Sequence, residues 1–122
     1  GAVVPVEGEG GQAVSIEERL IAAVTPVVPV CVHGVYTGTE EVYCTFNLSQ
    51  TPDSFGDDEP EVLRCSGMLH LYMPATGDPR TLRRQLRRAL LEADLGAAIV
   101  EDASDADNVH LVFEFEALDL EV

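Results

Sequence analysis

Five of the seven cationic residues of this chain lie within nine positions: Arg80, Arg83, Arg84, Arg87 and Arg88. Guanidinium groups bind carboxylates and phosphates through planar, two-pronged hydrogen bonds. Their spacing places all five roughly on one face of a helix, where like charges at i,i+4 repel. The rest of the chain is acidic, with 22 Asp and Glu, no lysine and a net charge of -15. Long-range repulsion from that charge excludes general affinity for DNA or anionic membranes. The arginines are therefore expected to meet carboxylates. These belong either to the chain's own domain, on a solvated face, or to a partner surface that relieves the repulsion. The candidates cluster in two segments: 53–61, with Asp57, Asp58 and Glu59, and 101–107, with Asp102, Asp105 and Asp107.

Other residue types with chemical potential lack the spacing that chemistry needs. A calcium loop starting at Asp102 would place Ala106 and Phe113 at ligand positions, Phe113 where a bidentate Glu belongs. Cys31, Cys44 and Cys65 are odd in number and widely spaced, which argues against a disulfide framework or a zinc site. Cys44 and Cys65 fall on apolar strand faces, where cysteine is a small core residue. His33, His70 and His110 share no metal-ligand spacing. No phosphate-binding Gly-rich loop, G-x-S-x-G or H-E-x-x-H occurs. The expectation is a non-enzyme with no catalytic residue, no metal and no cofactor. A small hydrolase would need a nucleophile and base clustered by the fold.

The elements that position these residues are legible from periodicity. A length of 122 residues fits one domain with its own core, and 46% apolar with 24% charged residues is ordinary for a globular protein. Residues 1–14 carry four glycines and a proline without periodicity and read as a flexible tail. No secretory leader is expected, because a basic stretch followed by an apolar core is lacking. No window has the ~20 apolar residues of a membrane span. Ser15 and Glu18 form a capping-box pattern for a helix to about residue 24, ended by Pro26 and Pro29. Residues 27–35 are valine-rich but proline-interrupted, hence extended or an edge strand. Alternation predicts strands at 42–48 and 62–73, separated by a long acidic loop over 51–60. Asp78 is the expected N-cap and Pro79 the first residue of the arginine helix, with Gly96 just past its end. Leu82, Leu86, Ala89, Leu90 and Ala93 form its buried stripe. A short strand at 97–101, an acidic turn over 101–107 and a strand from 109 complete the chain. The predicted fold is α+β: an antiparallel sheet of about four strands with two helices on one face, as a single domain over 15–122.

This order resembles the small tail-terminator, or tail-completion, proteins of long-tailed bacteriophages. The likeness lies in an opening helix, a Val-Pro-rich link ending in Val35-Tyr-Thr-Gly, and the strand Glu41-Val-Tyr-Cys-Thr-Phe. A long loop and the strand Cys65-Ser-Gly-Met-Leu-His-Leu-Tyr follow, then the arginine helix and the strand Val109-His-Leu-Val-Phe-Glu-Phe. It is a likeness of order and length over residues 15–122. It implies a structural protein of the virion, assembled in the host cytoplasm. There a ring, typically hexameric, caps the tail tube and offers a surface to the head-completion or connector protein. DNA would pass through the ring without specific binding, and no membrane is involved. Heterologous contacts between neighbours close such rings, with the arginine face meeting an acidic loop of the adjacent copy. Phage neck (head-closure) proteins share the size and composition. A small acidic chaperone of the secretion type, binding a basic or unfolded segment, is the alternative from another class.

Overall fold

The computed structural model describes residues 15–52 and 61–121. The expected flexible tail at 1–14 and the acidic candidates Asp57, Asp58 and Glu59 lie outside the described residues. Two helices and five strands follow in the order α1 (Ile16–Val24), β1 (Cys31–His33), β2 (Tyr43–Pro52), β3 (Glu61–Pro74), α2 (Arg80–Glu92), β4 (Ala97–Asp102) and β5 (Asn108–Glu121). The sheet order is β1-β2-β3-β5-β4. The mixed α+β class is as predicted.

The expectation of about four antiparallel strands is corrected in number and direction. There are five strands, and β1 runs parallel to β2, pairing Cys31 with Cys44 and His33 with Phe46. Antiparallel neighbours follow from short reversals, whereas a parallel pair needs a connection that carries the chain back. Residues 34–42 make that return. Gly34, at φ 85, turns the chain out of β1 in the left-handed region that favours glycine. Its N–H donates to the Phe46 carbonyl at 2.9 Å, and the Cys44 N–H donates to Val30 at 2.8 Å.

The long strands extend past their predicted ends. Thr51 and Pro52, expected in the acidic loop, pair in β2 with Arg64 and Leu63. Strand β5 runs on to Glu121, paired with Glu61 of β3. Period-2 alternation sorts the two sheet faces. Cys44, Phe46, Cys65, Leu69, Leu71, Leu111, Phe113 and Phe115 are buried on one face, together with Ile16, Leu20 and Val24 of α1 and Leu86 and Leu90 of α2. Both helices thus feed one core on one side of the sheet. Of the predicted α2 stripe, Leu86 and Leu90 are fully buried, while Leu82 and Ala93 pack at the edge of the core.

Gly67 is required where it stands. It lies between Leu48 and Phe115 in register, and a Cβ there would overlap the Phe115 ring and come within 2.8 Å of Leu48 Cδ2. The missing side chain lets Phe115 lie across β3.

Candidate functional site

The arginine helix is held at both ends, though not as the sequence suggested. Pro79 occupies the N-cap and offers no side-chain hydrogen bond. Asp78, expected as the cap, instead accepts the Arg80 N–H at 3.0 Å and clasps the Arg80 guanidinium, with Nη2 at 2.8 Å. That clasp holds the Asp78 carboxyl at about 2. At the other end two residues are left-handed: Asp94, at φ 63, takes the place just past the cap, and the predicted Gly96 follows at φ 46. Leu95 N–H donates to the Leu90 carbonyl at 2.8 Å and Asp94 N–H to Leu91 at 3.0 Å, the paired bonds of a Schellman motif. Leu95 is fully buried, so the turn must come early enough to drive it into the core.

Arg19 of α1 completes this terminus. Its Nη2 donates to the Ala93 carbonyl at 2.7 Å, placing a cation where the carbonyl end of α2 concentrates partial negative charge. Periodicity gave no hint of this role, because it joins residues 74 apart in sequence.

Arg80 therefore belongs to its own helix end rather than to an outward site. Arg83, Arg84, Arg87 and Arg88 are exposed, and among the described residues none has an ion-paired carboxylate. Arg83 acts on Asp102, whose carboxyl is held low chiefly by hydrogen bonds from Ser104, with Arg83 adding a smaller attraction. Leu91 lies seven, four and three residues beyond Arg84, Arg87 and Arg88, so it emerges among them. It remains 67% exposed. This apolar centre within the arginine face was not singled out from the sequence, although its spacing is the same one that groups the arginines.

The acids of segment 101–107 shape a turn. Asp102 Oδ1 accepts the Ser104 N–H at 2.9 Å. Asp105 Oδ1 accepts the N–H groups of Asp107 and Asn108, both at 2.8 Å, and these bonds hold its carboxyl below the usual range. Asp102 itself belongs to β4, so the turn is shorter than predicted. Asp105 and Asp107 remain exposed.

The second sheet face is not covered by either helix. Register aligns Tyr43, Tyr72 and His110 across β2, β3 and β5. Tyr43 and Tyr72 stack at 5.0 Å between ring centres, and Tyr72 and His110 at 4.3 Å. His70 Nδ1 lies 2.8 Å from His110 Nε2. Burial lowers the pKa of both histidines, with the neighbouring His110 adding to the effect at His70, while Asp105 and Asp102 partly offset it at His110. The fold thus unites two histidines that sequence spacing kept apart. Among the described residues no group of three or more His, Cys, Asp or Glu converges as metal ligands. The three cysteines are buried, and desolvation raises the Cys31 thiol to about 11 and the Cys44 thiol further, with Cys31 beside it.

Farther along this face lie two exposed apolar side chains, Met68 at 46% and Ile99 at 50%. In register they flank Glu114. A hollow of about 560 Å3 there is lined by Asn47, Ser66, Met68, Ile99, Glu114 and Glu116, among others. Glu116 pairs with Arg64 at 3.1 Å. A second, wider groove of about 1060 Å3 runs between the helices, past Arg19, Ala22, Ala23, Arg88, Ala89 and Ala93.

Among the described residues no helix is long and apolar enough to cross a membrane. No protein-family model matches the chain, and no curated protein sequence matches it.

Proposed function

We propose that the chain is a structural subunit that closes the tail tube of a long-tailed bacteriophage as a ring, ending tail growth and offering a surface for head joining. The observation that carries this reading is the arginine face of α2, where Arg83, Arg84, Arg87 and Arg88 have no ion-paired carboxylate among the described residues, on a chain of net charge -15. Four exposed guanidiniums close together on one helix face are a poor arrangement for an isolated domain, because like charges at i,i+4 repel. Carboxylates of an adjacent copy relieve that repulsion, and a contact between two different faces closes into a ring when its rotation permits. The net negative charge suits a collar through which DNA must slide without sticking. The partners in this reading are other copies, the tail tube protein and the head-completion or connector protein. The protein would reside at the head–tail interface of the virion.

The test is electron microscopy of the chain mixed with purified tail tubes. A ring of density at one tube end supports the reading, and bare ends count against it. The groove between α1 and α2 favours a second reading. Small alanines and Pro26 line it beside Arg19 and Arg88, a shape suited to a segment held by an acidic chaperone. Chaperones of this kind pair as dimers, so native mass separates two subunits from six.

A further inference from the structure

We propose that the exposed face of α2 of one copy docks on the open sheet face of the next, with Leu91 seated in the hollow between Met68 and Ile99. The inference shares with the preceding section the premise that the partner is another copy of this chain, and it names both halves of the contact. Each half carries what the other lacks. The helix half is an apolar centre, Leu91, rimmed by Arg84, Arg87 and Arg88. The sheet half is Met68 and Ile99 standing on either side of Glu114 in register, with Glu116 on the same face. Glu101 adds to these carboxylates, since it pairs with Val112 on the same face of the sheet. Among the described residues Glu114 has no cationic partner. Interfaces of useful strength combine apolar anchors with charged contacts shielded from water, and here Leu91 packs with Met68 and Ile99 while its neighbouring arginines reach Glu114 between them.

The layer arrangement points the same way. A sheet covered by helices on one side normally presents a polar surface on the other. Here Met68 and Ile99 interrupt that surface about half exposed, while Leu91 projects from the opposite side of the domain. Docking one on the other gives the sheet a helix on both faces, a common way to bury a sheet completely. Because the two surfaces differ, the contact is head to tail and each copy retains one free half of each kind. Arginine suits the rim because its planar fork can hold carboxylates such as Glu114 two-pronged.

The contact is tested by disulfide trapping in full-length protein, whose own described cysteines are all buried. Leu91→Cys and Met68→Cys variants are prepared separately, mixed under mild oxidation and resolved by mass. The proposal expects the Leu91→Cys/Met68→Cys heterodimer to dominate over both homodimers. It also expects Arg84→Glu with Arg87→Glu, added to the Leu91→Cys chain, to slow trapping about tenfold or more. Dimers in the random ratio, a dominant homodimer, or trapping indifferent to the charge reversal would each overturn it. Circular dichroism of each variant checks that it folds. No tail tube is needed for this experiment. Trapping by a chain that leaves tubes uncapped would uphold the contact and remove the tail reading, and capping without trapping would do the reverse.

Discussion

Gly67 and the His70–His110 pair give the clearest consequences at the scale of single residues. Gly67→Ala places a Cβ into the Phe115 ring and against Leu48 Cδ2. Overpacking against the buried Phe115 ring costs about 1–3 kcal/mol, and the loss should appear as a lower urea midpoint with an unchanged slope. The histidine pair makes stability depend on pH. Both folded pKa values lie below the ordinary 6.5, so as pH falls the unfolded chain binds these protons first. The pair therefore leaves stability unaffected well above that value and withdraws it as pH drops through it. The charged groups acting on the pair include Asp102 and Asp105, which partly counter the effect at His110. Replacing both histidines by glutamine should make the unfolding midpoint less sensitive to acidification from about pH 7.5 to about 5.5 than in the parent. An unchanged pH response would remove this role. Neither consequence was visible from spacing alone. His70 and His110 meet only because β3 and β5 pair in one particular register, and register is a property of two distant segments.

At the scale of elements, local signals succeeded where a single segment decides the outcome. Ser15 accepts the Glu18 N–H at 3.1 Å and Glu18 accepts the Ser15 N–H at 3.2 Å, so the capping box read from four residues forms as expected. Alternation placed β2, β3 and β5 and their buried faces correctly, because each strand's pattern is its own. The ends of α2 were misread because competing contacts decide them. Asp78 is occupied by the Arg80 side chain as well as its N–H. The demand to bury Leu95 places a left-handed residue already at Asp94, ahead of Gly96, which is left-handed as well. The proline-interrupted segment 27–35 reads as extended chain or an edge strand, and β1 is an edge strand; its parallel direction depends on the path of residues 34–42 and not on its own sequence. Arg19 links the two helices at the α2 terminus. Its replacement by alanine strips a charge-assisted bond from that end and should cost about 1–2 kcal/mol in thermal or urea unfolding. Arg19→Lys should recover part of the loss.

At the scale of the whole molecule, charge and layering bear on the same question. The domain carries helices on one side, an open sheet on the other and a strong negative charge throughout, except for one cationic helix face. Arg19, Arg64 and Arg80 are engaged within the domain. Among the described residues, Arg83, Arg84, Arg87 and Arg88 are the arginines without an ion-paired carboxylate, a smaller set than the sequence cluster. Two segments, 53–61 and 101–107, are expected to supply the acidic counterpart, and Asp57, Asp58 and Glu59 of the first lie outside the described residues. In the second segment Asp102 and Asp105 brace their own turn, and the sheet hollow offers Glu114 between Met68 and Ile99 instead. The function proposed here follows from how these surfaces meet those of other molecules. The most direct test is growth of purified tail tubes with and without the chain, scored by electron microscopy. The account predicts that the parent stops elongation and leaves a ring at the growing end, while Arg84→Glu with Arg87→Glu lets tubes lengthen uncapped. Tubes that lengthen equally with and without the parent, and end bare, would contradict it.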